Sequence, residues 1–399
     1  MKTLWIHIGM AKTGSTAIQF FCKENADVLA KKGYGYPALS FHYPGISKAH
    51  NGRFLLGMLI DENGNRDLEQ EDKNFQAGMQ MVDELFLEYD NVVLSDESIW
   101  RGMDMEKKNL WELLMEKAKK GGYGIRVIVY FRRQDKFFPS NWNQLVKKQW
   151  SQETFAQYTG REERYFLNYY DKLERMASVI GKENIIVRRY DGKEHFEGGS
   201  IYSDFLSAIG LSMTEEYTVS KEVRNSGLYG NTHEIKRVLN SILKDRDRKV
   251  QMFLMERLQE FSDVSQENYP SEMFSQEEIH EILDRYGPGN RKVAEEYLQE
   301  AGGELFDNTV KDVPKWEKEN PYMLDDVIRL LGTTSVYFYH ETIRLKQELN
   351  TLTKQTNKEI RALSNDLSNL RNSIKHPLKA VCRQIAKLLK PDTSAEREE

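Results

Sequence analysis

The fold is decided by residues 4–19, which read LWIHIGMAKTGSTAIQ. An apolar run ends at Gly9, a short turn carries Lys12 and Gly14, and a helical pattern begins at Ser15. The first amides of a helix point outward without partners, and the helix dipole favours a negative charge beside them. Because Lys12 adds a full positive charge, this strand, turn and helix predict a binding site for a phosphate or phosphosulfate group.

The pattern of this turn differs from that of a P-loop. A P-loop has a glycine, four further residues and then Gly-Lys-Ser/Thr, whereas here Lys12 precedes Gly14 and the hydroxyls of Ser15 and Thr16 follow it. A short Gly/Ser/Thr turn before a helix is also a common helix cap. Taken alone, the turn therefore leaves two interpretations open, an anion site and a cap.

Composition sets the outer limits of the interpretation. The chain has 399 residues, of which 39% are hydrophobic and 30% charged, and this predicts a soluble globular protein of one large or two ordinary domains. A net charge of −5 is too small to indicate general nucleic-acid binding. With two cysteines, Cys22 and Cys382, no signal peptide and no long apolar run, we expect a cytoplasmic protein without a disulfide framework.

Apolar strands alternate with helical patterns through the first half of the chain. This order predicts an α/β fold with a doubly wound parallel sheet. Ligands of such sheets bind at the carboxyl ends of the strands, so functional residues should directly follow the apolar runs. Between the elements, residues 34–74 carry aromatics, glycines and histidines without periodicity, which predicts loops near the site rather than core. The strands are predicted over 3–9, 91–95, 125–131 and 184–191, and the helices over about 15–32, 75–89, 106–120 and 201–206.

A second anion site is predicted after the third strand. Arg132 leaves the end of this strand, and Ser140 lies eight residues later, where Pro139 indicates the start of a helix. A guanidinium and a hydroxyl at a helix start suit a terminal phosphate. A surface arginine and an N-capping serine are the alternative, and the presence of the first turn favours the phosphate site.

The two motifs, in this order and each after an apolar strand, resemble those of sulfotransferases that use 3′-phosphoadenosine 5′-phosphosulfate (PAPS), the bacterial and carbohydrate type in particular. A strand that ends in Tyr190-Asp191 resembles the same family, with Asp191 standing where the family has glutamate. The resemblance extends over residues 1–310 and implies the P-loop-like parallel sheet of that family. It implies that the 5′-phosphosulfate binds Lys12, Thr13, Gly14, Ser15 and Thr16, that the 3′-phosphate binds Arg132 and Ser140, and that Tyr190 borders the adenine.

The acid–base residue is expected after the second strand, where Asp96 and Glu97 follow one another. Carbohydrate sulfotransferases that resemble this chain carry a glutamate there, so Glu97 is the predicted base and Asp96 a candidate cap of the next helix. The alternative is that both acids are caps. His50 is the reserve candidate for the base, and His42 and His50 are candidate acceptor contacts. His7 is expected to be a buried histidine of the first strand.

The resemblance implies transfer of a sulfo group to a hydroxyl, with adenosine 3′,5′-bisphosphate as product. No metal is needed if Lys12 supplies the positive charge. The expected acceptor is a saccharide of a surface glycan or a lipid-linked glycan. Two other functions stay open: a P-loop-type nucleotide kinase, which would need magnesium, and a non-catalytic coiled-coil scaffold with a vestigial nucleotide site.

Two further segments carry minor expectations. The family has a polar turn at 223–228 that closes over the donor, and Arg224 there is a candidate contact with the 3′-phosphate or a solvated arginine. Residues 286–298 resemble a segment near the end of the family's domain and are interpreted as packing.

The C-terminal part has a different pattern. After a connection over 311–336, a heptad seam with one extra four-residue step runs through 337–374 and predicts a coiled coil that forms a homo-oligomer. A helix folded back on the domain is the alternative. The seam consists of Leu345, Leu349, Leu352, Thr356, Ile360, Leu363, Leu367, Leu370 and Ile374.

The last predicted helix, 375–391, is basic and amphipathic. Such helices bind anionic membrane surfaces, so we expect peripheral contact with the cytoplasmic face of a membrane. A partner helix of the calmodulin type and packing on the domain are the alternatives. Residues 392–399 are predicted to be a disordered tail.

Overall fold

A computed structural model describes residues 2–103, 109–162, 166–220, 227–243, 246–265 and 272–389. The chain divides into two compact units, Met1–Asp326 and Val327–Glu399. The polar turn with Arg224 and the tail at 392–399 lie largely or wholly outside the described residues, so the expectations for them stay predictions.

The first unit is built on five parallel strands in the order β2-β3-β1-β4-β5. Thr3 pairs with Asn91 on one side and Gly124 on the other, and His7 pairs with Ser95 and Ile128. The carboxyl ends of the three central strands therefore lie at one edge, and the predicted parallel α/β sheet is confirmed. The strands are β1 Thr3–His7, β2 Tyr34–Gly35, β3 Asn91–Ser95, β4 Gly124–Phe131 and β5 Ile185–Arg189.

Helices cover both faces of this sheet. Leu4 and Ile6 of β1 pack in the core of one face, and Trp5 packs in the core of the other, because side chains alternate along a strand. Burial on both faces explains why the strands read as continuous apolar runs. The helices of this unit are α1 Ser15–Glu24, α2 Ala26–Lys31, α3 Leu68–Glu88, α4 Ser98–Gly102, α5 Leu110–Gly121, α6 Gln134–Lys148, α7 Phe155–Thr159, α8 Tyr169–Ile180, α9 Ile201–Ala208, α10 Asn231–Leu243, α11 Arg248–Ser265 and α12 Gln276–Tyr297.

The single helix predicted over 15–32 is divided at Asn25. The Asn25 amide donates to the carbonyls of Phe21 and Thr218, each at 2.9 Å, and its oxygen accepts from the Thr218 amide at 2.7 Å. The two bonds with Thr218, nearly two hundred residues away, hold Asn25 at the point where α1 ends and α2 begins. Local helical periodicity carries no sign of such a partner.

Residues 34–74 are only partly the loops that the sequence predicts. They contain β2, a short 3₁₀ turn at Arg53–Leu55 and the start of α3, which the Asp67 side chain caps by accepting from the Gln70 amide at 2.9 Å. Tyr36 and Phe54 are buried in the core, so the prediction that the aromatics here lie outside the core is wrong. The two rings pack in different core clusters, Phe54 with Leu4 and Ile6 and Tyr36 with Trp5, and such packing requires no sequence periodicity.

The prediction that Pro139 begins a helix is also wrong, because Pro139 lies inside α6. The helix begins where Arg133 donates to both oxygens of Asp135, at 2.7 and 2.9 Å, and places a negative charge in the first turn. Proline removes one backbone bond of the helix. The buried rings of Phe138 and Trp142 on either side of it stabilise the helix in spite of that loss.

Helix α13 Met323–Lys375 contains the predicted seam, and the second unit consists mainly of this helix from Val327 onward and of α14 Pro377–Leu388. Among the residues that the structure describes, no helix combines the length and the hydropathy needed to cross a bilayer. Both cysteines are free thiols, Cys22 buried and Cys382 exposed.

Candidate functional site

The turn after β1 follows a tight path that requires glycine at two positions. A Cβ atom on Gly9 would lie 2.2 Å from the Ser15 hydroxyl, and one on Gly14 would lie 2.4 Å from the Ile201 side chain. Gly14 has a φ of 77°, and Lys12 has a φ of 69° in the same left-handed region. The path turns the chain sharply from the strand into α1.

The N-terminus of α1 has no side-chain cap, since its N-cap residue is Gly14. Thr16 is half-buried in the first turn, and the Thr13 hydroxyl is buried and donates to the Met10 carbonyl at 2.7 Å. The Ser15 hydroxyl also lies near that carbonyl, at 3.4 Å. The predicted contact of Thr13 with an anion is therefore confined to its backbone amide, while the first amides of the helix keep the geometry of an anion site.

Arg132 joins this turn to the second predicted anion site. Its Nη1 atom donates to the Lys12 carbonyl at 3.0 Å and to the Ser140 hydroxyl at 3.1 Å. The Tyr169 hydroxyl donates to the Arg132 carbonyl at 2.7 Å and so holds the backbone at the end of β4. The structure thus brings together Lys12, Arg132 and Ser140, as the sequence predicts.

Tyr190 lies at the same place. Its amide donates to the Phe131 carbonyl at 2.7 Å, which continues the pairing of β4 with β5, and its ring centroid is 5.6 Å from the Arg132 guanidinium carbon. A Cβ atom on Gly14 would lie 2.9 Å from this ring. Asp191 accepts from the Asp307 amide at 3.1 Å.

Positive charges surround the Lys12 amine. Burial and, after it, the charges of Arg132, Lys148 and Lys147 together lower the pKa of Lys12 to about 8, against an opposite effect of Glu97. An amine with this pKa is stabilised in its charged form by an anion. The two lysines, at the end of α6, were not singled out in the sequence, where they look like ordinary cations of a last helical turn.

Asp96 is the buried acceptor of a small hydrogen-bonded cluster. Its carboxylate accepts from the Ser98 amide at 2.7 Å, from Nδ1 of His50 at 3.2 Å and from Nη1 of Arg53 at 3.4 Å. Burial raises the pKa of this carboxyl, but its three partners outweigh burial and hold the pKa below its usual value. Asp96 therefore stays ionised, and its side chain accepts from the first amide of α4 although Glu97 is the N-cap residue of that helix.

Glu97 is placed differently, although it is the next residue. Its side chain does not cap α4, and its Cβ atom is 3.5 Å from the position that a Cβ on Gly9 would occupy. Burial and the charge of Asp96 raise the pKa of Glu97, whereas the charges of His50, Arg53 and Lys12 oppose the rise. A carboxylate of raised pKa beside a cationic turn is suited to proton transfer.

His50 reaches this site because Asn51 binds its segment to the end of β3. The Asn51 amide donates to the Val93 carbonyl at 2.9 Å, and its oxygen accepts from the Ser95 amide at 2.7 Å. The Gly52 amide adds a bond to the Ser95 carbonyl at 3.2 Å. Asn51 and Arg53 were not among the predicted site residues, although the polar run His-Asn-Gly-Arg at 50–53 marked the turn.

The side chains of His42 and His7 form none of the described hydrogen bonds with this cluster, although the His7 carbonyl accepts from the Asp96 amide at 3.2 Å. His42 is exposed, and none of the described contacts joins it to Lys12, Glu97 or Arg132. His7 is fully buried and bonds through Nδ1 to the Ser95 hydroxyl at 2.8 Å, and burial lowers its pKa to about 3, so it is neutral. Within the described residues, no group of three or more His, Cys, Asp or Glu side chains is arranged to hold a metal ion.

No protein-family profile matches the chain. A protein of Archaeoglobus fulgidus, named only as uncharacterized, is 30% identical over 175 residues, which are 43% of this chain and 46% of that protein. The match thus spans less than half of the relative's length. The crystal structure of a sulfotransferase from Alicyclobacillus acidocaldarius is similar with a TM-score of 0.35 and 13% identity, over 63% of this chain and 99% of that chain, a likeness too weak to support an assignment.

Anion binding at the turn should depend on the protonation of Lys12. Sulfate stays ionised across the range in which an amine with a pKa of about 8 titrates, and a bound anion raises that pKa, so binding takes up a proton. We therefore expect the sulfate affinity to fall at least about tenfold from pH 7.5 to 9.5, measured from the amide resonances of the turn at constant ionic strength.

The matched control is Lys12→Arg, whose guanidinium stays charged throughout. Its sulfate affinity should change little over the same range. An equal loss of affinity in both proteins would show that a different group titrates.

Proposed function

We propose that this protein transfers a sulfo group from PAPS to a hydroxyl of an acceptor. The observation that carries the proposal is the pair of hydrogen bonds from Arg132, which join the Lys12 turn to Ser140. PAPS has a phosphosulfate at one end of its ribose and a phosphate at the 3′ position. Two cationic anion sites a few ångströms apart suit that pair of groups better than they suit a single phosphate chain.

The donor is assigned to these residues by chemical type. Lys12 and the first amides of α1 suit the 5′-phosphosulfate, and Arg132 with Ser140 suits the 3′-phosphate. The half-buried ring of Tyr190 lies beside both segments and offers a face for the adenine. No step requires a metal, because Lys12 and the amides supply the positive potential.

The reaction is an in-line displacement at sulfur. A bond forms between the acceptor oxygen and sulfur while the bond from sulfur to the phosphate oxygen breaks, and the hydroxyl proton passes to Glu97. The leaving phosphate gains negative charge, which Lys12 and the helix amides stabilise. Glu97 is suited to take the proton because burial and Asp96 raise its pKa.

We further propose a saccharide acceptor, of a surface glycan or a lipid-linked glycan, handled at the cytoplasmic face of a membrane. The support is the resemblance to carbohydrate sulfotransferases together with α14, in which Lys379, Arg383 and Lys387 flank an exposed apolar stripe. The stripe consists of Leu378, Val381, Ile385 and Leu388, which are 49–85% exposed. A basic helix with such a stripe suits the surface of an anionic bilayer.

Adenosine 3′,5′-bisphosphate should bind and stabilise the protein. We expect a clear rise of the melting temperature in the wild type, because a ligand that binds only the folded state stabilises it. The rise should disappear in Lys12→Ala and in Arg132→Ala. Arg126→Ala removes an exposed arginine of β4, the strand that Arg132 follows, and this variant should keep the rise of the melting temperature.

An unchanged melting temperature of the wild type at millimolar bisphosphate would refute the donor assignment. Complete loss of activity in EDTA would favour a magnesium-dependent kinase instead.

Glu97→Gln should bind adenosine 3′,5′-bisphosphate within about twofold of the wild-type affinity, because its amide keeps the shape of the carboxyl. Its turnover should fall about a hundredfold or more, as expected when a general base is lost. Release of the bisphosphate from PAPS, measured with a set of oligosaccharides, reports turnover.

The matched comparison is His50→Gln, which leaves Glu97 in place. Wild-type turnover in Glu97→Gln together with a large loss in His50→Gln would assign the base to the histidine.

The full-length protein should bind vesicles that contain phosphatidylglycerol and should not bind vesicles of pure phosphatidylcholine. Ile385→Asp places a charge in the apolar stripe and should weaken binding about tenfold or more. Ala386→Asp makes the same change of net charge outside the stripe and should weaken binding much less. Failure of the wild type to sediment with the anionic vesicles would exclude the membrane proposal.

A further inference from the structure

The second unit carries a long apolar seam that no described residue covers. Eight large aliphatic side chains of α13 lie along one line of the helix and are each 55–72% exposed. Water contact on this scale is unfavourable for aliphatic side chains, and a long single helix gains most of its stability from packing. The seam side chains are Leu345, Leu349, Leu352, Ile360, Leu363, Leu367, Leu370 and Ile374.

The spacing of the seam assigns heptad positions. Leucine stands at the d positions 345, 352, 363 and 370, while leucine and isoleucine share the a positions 349, 360, 367 and 374. The step through Thr356 inserts four residues, which unwinds a coiled coil locally without ending it. Leucine at d with isoleucine at a is a pattern of two-stranded coiled coils.

Acidic and basic residues lie on opposite sides of the seam, at the heptad positions g and e respectively. The charged residues at g are all acidic, Glu341, Glu348, Glu359 and Asp366. The charged residues at e are both basic, Lys346 and Arg371. In a parallel coiled coil the g positions of one helix face the e positions of the other. In an antiparallel coiled coil, g positions face g positions and e positions face e positions.

We propose that α13 binds a second copy of this chain in a parallel, in-register, two-stranded coiled coil. Glu341 then faces Lys346 of the second copy, and Asp366 faces Arg371 of the second copy, each pair occurring twice by symmetry. An antiparallel pair would place acids against acids on one flank and cations against cations on the other. The separation of acids at g from cations at e therefore favours a second copy of this chain as the partner and a parallel direction of the two helices.

Parallel pairing has a consequence for α14, which follows α13 after one residue, His376. Both copies of the basic helix begin at the same end of the coiled coil. Two weak membrane contacts held at one end bind a surface far more strongly than one. The pairing itself does not depend on the sulfotransferase proposal and is tested without any donor or acceptor.

Charge reversal in the full-length protein distinguishes the two directions. Asp366→Arg places a cation opposite Arg371 in the parallel pair and should raise the dissociation constant of the dimer about tenfold, measured by sedimentation equilibrium. In an antiparallel pair the same change would put a cation among acids and lower that constant. The double variant Asp366→Arg/Arg371→Asp restores opposite charges and should return the constant close to the wild-type value.

The matched control is Arg361→Asp, which changes a charge at a b position on the outer side of the helix and should leave the dissociation constant unchanged. A second measurement uses Leu370→Cys in a Cys382→Ser background, where oxidation should link two copies through residue 370 only if the helices are parallel and in register. Ser368→Cys, at another b position, should not link. A monomeric or trimeric wild type, tighter association of Asp366→Arg, or no link at 370 would overturn the proposal.

Discussion

The geometry of the site depends on the Arg132 guanidinium. This group lies at the carboxyl end of β4 and donates to a carbonyl of the turn after β1 and to a hydroxyl of α6. Three segments from different parts of the chain are thereby held at one edge of the sheet. Because hydrogen bonds from a charged, largely buried donor are strong and costly to leave unmade, the site is organised before any ligand arrives. Exchange of these bonds for bonds to a phosphate is the event on which the proposed donor binding depends.

Asp96 and Glu97 carry the same functional group, but their surroundings shift the two pKa values in opposite directions. Asp96 has three donors and stays ionised, and it positions His50 and Arg53. Glu97 is buried beside that charge, and its pKa is raised. The charge of the first acid thus helps to make the second a better base. A change at Asp96 would therefore act on the proposed chemistry through Glu97 as well as through the histidine.

The two units of the chain are stabilised in different ways. The first buries both faces of a parallel sheet under helices and has a continuous core. The second presents its aliphatic side chains to solvent along a helix of 53 residues. The proposed pairing with a second copy rests on this exposed seam and on the separation of acids and cations on its flanks. Association would also bring two basic helices together, which links the oligomeric state to the proposed membrane contact.

The sequence by itself determined the parallel sheet, the glycine-containing turn after β1, the position of Arg132 at a strand end and the seam of α13. Each of these follows from local order, since apolar runs, glycines in a turn and heptad spacing act over a few residues. Only the tertiary structure decided that Asn25 divides a helix, that the Thr13 hydroxyl faces inward and that Asn51 brings His50 to Asp96. The Thr13 hydroxyl bonds to Met10 within its own turn, whereas the features at Asn25 and Asn51 depend on hydrogen bonds between segments far apart in the chain. Such bonds leave no periodic trace in the sequence, because a single side chain at each end is enough to form them.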